Sequence, residues 1–364
     1  LNAFGPFHRP TEGHTQMKHY HYTSTAPLEG LPGAVFGLAL RESPVPTPGP
    51  GEVLVRMRAS ALNFADLVFL HGSVPQVDGV VPLLDGAGEI ATVGDGVDGW
   101  RSGDKVIVHP HRKWIAGEPC PEHYGEVLGS LVDGTLAEYA LMPAEALVAM
   151  PAHLSFAEAA ALPCAGLSAW NSILGGPPAR RPCLPGETVL VQGTGGVSLF
   201  ALQFAKLAGC RVIATTSTAA KAELLQRMGA DAVVNYRENP QWSDAVLAAT
   251  NGRGVDLVVE VGGPNTLAQS IRSVRVGGRI AMIGIVGGLG SIDYLHLLPV
   301  IERALTLFAN AMGSRADLSA MLRAVAQHRL RPVIDREFPF AQATQAVQHF
   351  AARGHIGKVV ITHD

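Results

Sequence analysis

The sequence predicts an α/β fold in which a doubly wound parallel sheet accompanies a mostly β domain. Three observations predict it. After Pro151, apolar strand-like runs alternate with helical runs, the pattern of parallel strands joined by helical crossovers. Within that half, the run Thr188-Val-Leu-Val-Gln192 meets the cluster Gly193-Thr-Gly195-Gly196, and an apolar helical run follows at once. Before it, between Ala34 and Ala149, short β-like runs are broken by Gly and Pro.

The elements follow in order. In the first half, strands are read at Val53-Leu-Val-Arg-Met-Arg58, Glu89-Ile-Ala-Thr-Val93 and Lys105-Val-Ile-Val-His109, after a turn region from Pro44 to Gly51. In the second half, strands are expected over 189–192, 211–215, 232–235, 256–261 and 279–285. Helices are expected over 199–208, 219–228 and 266–274. From Ala316 come a helix, a strand over 333–338, another helix and the run Lys358-Val-Val-Ile-Thr362.

Composition bounds the function. A chain of 364 residues suggests two domains. With 47% hydrophobic and 16% charged residues it can bury a large core. A net charge of -3 gives no electrostatic reason to expect nucleic acid or an anionic membrane as partner. No apolar run reaches the roughly 18 residues of a membrane span. Cys120, Cys164, Cys183 and Cys210 are scattered with no C-x-x-C pair, which argues for a reducing, cytoplasmic setting. Met17 reads as a natural start. Residues 1–16 then read as a leader outside the fold, without the long apolar core of a secretory signal.

The glycine cluster carries the chemistry. Strand, tight turn and helix are the context of a dinucleotide site. Gly193 permits the turn, and Gly195 lets a pyrophosphate approach the backbone. The amides of Gly196, Val197 and Ser198 open the helix and face its charge. Ser198 replaces the third glycine of G-x-G-x-x-G and adjusts how closely the helix packs on its strand. An NAD-preferring site carries Asp or Glu about 20 residues past the first glycines. Here the second strand ends Ala214-Thr-Thr-Ser217-Thr218, without an acid to repel a 2′-phosphate. Its hydroxyls can donate, and Lys221 adds charge, which points to NADPH. The alternatives are a solvated lysine on a surface helix and a packed Tyr236.

Nearly the whole chain after Met17 resembles the medium-chain dehydrogenase/reductase superfamily. The marks are Pro48-Gly-Pro-Gly-Glu-Val-Leu-Val55, Ala61-Leu-Asn-Phe-Ala-Asp66, Asp85-Gly-Ala-Gly-Glu-Ile-Ala-Thr-Val-Gly94, Gly103-Asp-Lys-Val106, Leu136-Ala-Glu-Tyr139, Leu162-Pro-Cys-Ala-Gly-Leu-Ser-Ala-Trp170 and the glycine turn. The resemblance implies a Rossmann domain, residues 154–314, inserted into a GroES-like catalytic domain of residues 17–153 and 315–364. The active site would lie in the cleft between them. In NADPH-dependent quinone oxidoreductases of this family, a Ser, a Lys and a later Tyr surround the 2′-phosphate, and these match Ser217, Lys221 and Tyr236.

Zinc-dependent members hold a metal with several converging ligands. Their first ligand position matches Asn63, their Gly-His-Glu segment matches Leu83-Leu84-Asp85, and Cys164 stands where a third ligand would be. Their four-cysteine lobe is reduced to Cys120 within 116–134. No metal is therefore expected, and the resemblance is closer to the zinc-free, quinone oxidoreductase-like branch. His109 and His111, flanking Pro110, read as a solvated loop rather than as ligands.

Without a metal, hydride transfer suits a quinone or an α,β-unsaturated carbonyl, whose developing charge delocalises. Asn63 is the candidate polar group facing nicotinamide and substrate; its alternative role is to fix the turn before a short helix. Ser168 matches a family position that contacts the cofactor near the nicotinamide; its alternative is a helix N-cap. The insert His109 to Leu131, with Trp114 and Tyr124, lies where the family places part of the substrate cleft. Thr306-Leu-Phe-Ala-Asn-Ala-Met312 reads as the edge strand that relatives pair across a two-fold axis, so a homodimer is expected. Two other readings remain open. One is an alcohol or aldehyde dehydrogenase of the same superfamily. The other is a non-catalytic NADPH-binding protein with a structural or sensing role.

Overall fold

A computed structural model describes residues 15–73, 77–175, 181–284, 286, 290–310 and 312–363. The first part of the chain carries β1 (Gln16–Thr23), β2 (Gly37–Pro44), β3 (Glu52–Ala61), α1 (Phe64–Leu70), β4 (Asp85–Val93), β5 (Lys105–Val108), β6 (Tyr139–Pro143) and β7 (Leu147–Ala149). Then follow α2 (Phe156–Ala160), α3 (Pro163–Ile173), β8 (Thr188–Gln192), α4 (Gly196–Leu207), β9 (Arg211–Thr216), α5 (Ala219–Arg227), β10 (Ala232–Asn235), α6 (Trp242–Ala249), β11 (Val255–Glu260) and α7 (Pro264–Ser273). The last are β12 (Val274–Met282), α8 (Leu298–Glu302), β13 (Thr306–Ala309), α9 (Arg315–Gln327), β14 (Ile334–Pro339), α10 (Ala343–Ala351) and β15 (Lys358–Thr362).

Strands β8 to β13 form a parallel sheet in the order β10-β9-β8-β11-β12-β13. Its central strands β8 and β11 are buried at every residue, as a sheet covered by helices on both faces requires. The order reverses between β8 and β11, so a crevice opens at the carboxyl ends of these strands. The glycine turn leaves β8 at this point.

The second sheet runs β14-β15-β3-β4-β5-β7, with β6 also paired to β3. Its strands are antiparallel except β14 and β15. The segment after α9 thus returns to complete the sheet begun by β3. The two sheets share one apolar core. It runs from Ala59, Ala87 and Ile107 through α2 and α3 to Val189, Val212 and Phe204.

Local differences from the sequence reading have local causes. Strand β1 starts at Gln16, before Met17, because Gln16 pairs with Pro44, and Thr15 O accepts from Val45 N; residues 1–14 of the expected leader lie outside the described residues. Helix α7 stops at Ser273, and Val274 opens β12 opposite Val255. Strand β13 ends at Ala309, and Met312 takes a left-handed φ of 62° that ends extended structure. Ala311, inside the expected edge strand, lies outside the described residues.

Phe204 is fully buried between α3 and the parallel sheet, with its ring 5.3 Å from Trp170 and 6.1 Å from Phe200. Phe204→Ala will destabilise the protein by about 3–5 kcal/mol, read as a lower midpoint in urea unfolding.

Candidate functional site

The cofactor end begins at β8. Gly193 takes φ 75°, where a side chain would be strained, and its N–H donates to Thr215 O at 2.8 Å. Gly195 is the N-cap of α4, and a Cβ there would meet nothing within 4 Å, so its outer side is open. Val197 follows Gly196 in the first turn of α4. Ser198 is buried and donates from Oγ to Gln192 O at 2.6 Å. The hydroxyl in place of the third glycine therefore ties α4 to the end of β8.

Strand register brings two of the three proposed phosphate contacts side by side. Asn235 pairs with Thr216, and Tyr236 N–H donates to Thr216 O at 2.8 Å, which sets Tyr236 beside Ser217. Thr218 caps α5, accepting at Oγ1 from Lys221 N at 3.3 Å, so Lys221 stands in the first turn of that helix. Tyr236 is 42% exposed and not packed in the core.

Where β4, α3, β15 and the link between β3 and α1 meet lies a buried polar cluster. Leu83 adopts φ 74°, and the backbones of Gly129 and Gly134 close on it: a Cβ on either would lie 2.7 or 2.2 Å from Leu83 backbone atoms. This kink delivers Leu84 and Asp85 to the head of β4, both buried. Asp85 Oδ1 accepts from Cys164 N at 2.9 Å, and its Oδ2 accepts from Asn63 Nδ2 at 2.9 Å. Lys358 Nζ donates to Asn63 Oδ1 at 2.5 Å and Leu62 O at 2.7 Å, and lies 3.4 Å from Asp85 Oδ2. Burial raises the Asp85 pKa, and Lys358, Asn63 and Cys164 oppose that rise. Burial also pushes the Cys164 thiol up, so it stays protonated.

These contacts correct the orientation of Asn63. The sequence reading directs its amide at nicotinamide and substrate. The structure turns both ends inward, oxygen to an ammonium and nitrogen to a carboxylate. Asn63 also precedes α1, where its N–H donates to Asp66 Oδ2 at 2.7 Å, so it fixes that turn as well. Ser168 is the sixth residue of α3 and not its cap. It is buried, and its carbonyl accepts from Asn310 Nδ2 at 2.7 Å and Ser172 Oγ at 2.8 Å. That links α3 to the chain leaving β13.

The histidines are not solvated. His109 is fully buried, with Nδ1 2.8 Å from His111 O and Nε2 3.0 Å from Gly313 O. Burial holds its pKa down at about 4. His111 is also buried, its ring edge-on to Trp114 at 5.8 Å and Tyr124 at 5.2 Å, and burial lowers its pKa to about 3. The insert docks on α9, since Arg315 N donates to Trp114 O at 2.9 Å. Aromatic packing and the carbonyls of His111 and Gly313 enclose these two histidines, although much of the loop around them is exposed.

Sequence reasoning missed Lys358, the burial of His109 and the role of Asp85. The signal for Lys358 was a lone charge at the head of the otherwise apolar Val359-Val-Ile. Asp66 is also buried, and burial raises its pKa from 3.8 to about 7. Between these values the folded state holds a proton that the unfolded chain has lost, so its contribution to stability falls as pH rises from about 4 to about 7. Relative to Asp66→Asn, the wild type will therefore lose stability over that range, with a slope of up to about 1.4 kcal/mol per pH unit in urea unfolding, and level off above it.

Comparison with known proteins places the chain. The family model described as alcohol dehydrogenase GroES-like domain matches residues 49–152, and that described as zinc-binding dehydrogenase matches 196–327. A zinc-type alcohol dehydrogenase-like protein of Schizosaccharomyces pombe is 41% identical over 322 residues, 86% of this chain and 92% of the relative. The acryloyl-coenzyme A reductase of Metallosphaera sedula is 29% identical over 338 residues, 90% and 96% of the two chains. A crystal structure assigned as an alcohol dehydrogenase from Sinorhizobium meliloti superposes with TM-score 0.86 at 34% identity, covering 96% of this chain and 99% of that one. The second family description implies zinc, and the donors here do not fit a zinc ion. Leu84 is apolar, the Asn63 amide is committed at both ends, both Asp85 oxygens accept N–H donors, and the Cys164 thiol is held neutral. Among the described residues, no group of three or more His, Cys, Asp or Glu could hold a metal ion. Sheet order, glycine turn and these likenesses agree that the chain belongs to the medium-chain dehydrogenase/reductase superfamily, as an NAD(P)-dependent oxidoreductase.

Proposed function

We propose that this protein transfers hydride from NADPH to a quinone or an α,β-unsaturated carbonyl without a metal ion. The observation that carries the reading is the cluster of Lys358, Asn63 and Asp85 where zinc-dependent relatives would gather ligands. A site built this way has no Lewis acid with which to activate an alcohol hydroxyl. A conjugated acceptor needs none, because the charge arriving with hydride spreads onto an enolate or hydroquinone oxygen. The acryloyl-coenzyme A reductase relative is named for an α,β-unsaturated acyl group, which supports this class.

Ser217 and Tyr236, side by side where β9 and β10 end, and Lys221 in the first turn of α5 support NADPH, with no carboxylate between Ala214 and Lys221. The glycine turn of Gly193, Gly195, Gly196, Val197 and Ser198 would hold the pyrophosphate, and Ser168 would face the nicotinamide end from α3. A homodimer is part of the same proposal. Strand β13 is the edge of the parallel sheet, and nearby Tyr294, Leu295 and Ile301 are 63–69% exposed. An apolar edge of this kind calls for cover.

The alcohol dehydrogenase reading is favoured by the names of the S. pombe and S. meliloti proteins. Purified protein decides between the two. NADPH oxidation with 1,4-naphthoquinone or trans-2-hexenal is expected, with negligible NADP+ reduction by primary alcohols and no stoichiometric zinc. Turnover of alcohols by a zinc-containing enzyme would replace the proposal. kcat/KM will favour NADPH over NADH, and Lys221→Ala will lower that preference by about tenfold, the loss of one charged phosphate contact. The solution mass will be that of a dimer, and Ile301→Glu will shift it toward the monomer; a monomer at every concentration would remove the assembly from the proposal.

A further inference from the structure

Lys358 joins two places that the fold keeps in different sheets. The residue before it, Gly357, docks on the glycine turn, while Lys358 itself opens β15. Gly357 N–H donates to Thr194 O at 2.8 Å, and Gly357 forms a parallel bridge with Gly195. The lysine's aliphatic stem crosses the first turn of α4: a Cβ on Gly196 would lie 2.9 Å from Lys358 Cδ and 3.3 Å from Ala165 Cβ. Its ammonium ends in the oxygen cage of Leu62, Asn63 and Asp85. Asp85 in turn holds the amides of Asn63 and Cys164.

We infer that Lys358 is a positioning residue, a strut that sets the floor of the substrate cleft against the cofactor turn, and that Gly196 is glycine to admit this strut. The two adjacent glycines then have separate tasks. Gly195 faces open space, where a pyrophosphate would approach. Gly196 faces the lysine stem, and an added methyl group there displaces the stem rather than the cofactor. Displacing the stem moves the ammonium, and with it the Asn63 amide, whose orientation is fixed by having a cation at one end and a carboxylate at the other. Hydride transfer is sensitive to such shifts, while cofactor affinity depends on the turn itself.

The inference deepens the proposed reductase reading and rests on it for one readout only. The variants are Gly195→Ala, Gly196→Ala, Lys358→Met and the double variant Gly196→Ala/Lys358→Met. Each is first checked for a cooperative melt. NADPH dissociation constants, single-turnover hydride transfer to 1,4-naphthoquinone, and hydrogen exchange over residues 61–70 are then compared. Gly195→Ala is expected to weaken NADPH binding by about tenfold. Gly196→Ala and Lys358→Met are expected to slow hydride transfer by about tenfold to a hundredfold and to loosen residues 61–70, with the NADPH dissociation constant nearly unchanged. The double variant is expected to be no worse than the poorer single, because both changes break one strut. Additive losses, or a Gly196→Ala defect confined to NADPH binding, would overturn the inference. If Gly196→Ala does not fold, Lys358→Met decides by the same split. If the wild type reduces neither quinone nor enone, the reductase reading fails, and the strut is judged by binding and hydrogen exchange, which need no acceptor.

Discussion

A lysine ammonium with its side chain 3% exposed and a carboxylate at 0% form the interaction on which the junction of β4, α3 and β15 depends. Two charges removed from water cost several kcal/mol each, which mutual attraction recovers only when other donors and acceptors complete their shells. Here the shells are complete. The ammonium has three oxygen partners, and the carboxylate has two N–H donors besides the lysine. The partners come from the link between β3 and α1, from β4, α3 and β15, so satisfying one charge pair holds four parts of the chain together. Such a pair contributes little net stability. It contributes geometry, because any looser arrangement leaves a buried charge exposed to an apolar core.

The parallel sheet solves a similar problem at the end of β11. Glu260 is buried, and its Oε1 accepts from Gly262 N at 2.7 Å and Thr266 Oγ1 at 2.5 Å. Its Oε2 accepts from Gln192 Nε2 at 2.9 Å. Gln192 is the last residue before the glycine turn, and its carbonyl receives the Ser198 hydroxyl. The turn is therefore held by side chains behind it, leaving its outer amides free for an anion.

The alternation of strands and helices, the glycine turn and the return of the chain to the first sheet were legible because each rests on local periodicity or a turn residue. The form of the glycine turn and its flanks was legible for the same reason: Thr188 to Lys221 is one contiguous strand, turn, helix, strand and helix start. The substrate end was not. Asn63 takes its orientation from Asp85, 22 residues away, and from Lys358, 295 residues away. His109 is buried by Gly313, 204 residues away. No spacing rule connects such positions, so a polar residue near a cleft reads as pointing outward until its partner is known.

The strand order has a consequence for how the molecule comes into being. Strand β15 enters the first sheet beside β3, although β3, β4, β5, β6 and β7 can pair among themselves without it. During synthesis the carboxylate of Asp85 is therefore made long before its counter-charge, which emerges 273 residues later. A nascent chain can build the parallel sheet from β8 to β13 while the first sheet remains open at β3. Folding of the cleft is then gated by the C-terminal strand. A chain that stops short of residue 358 holds a buried Asp85 carboxylate without its counter-charge.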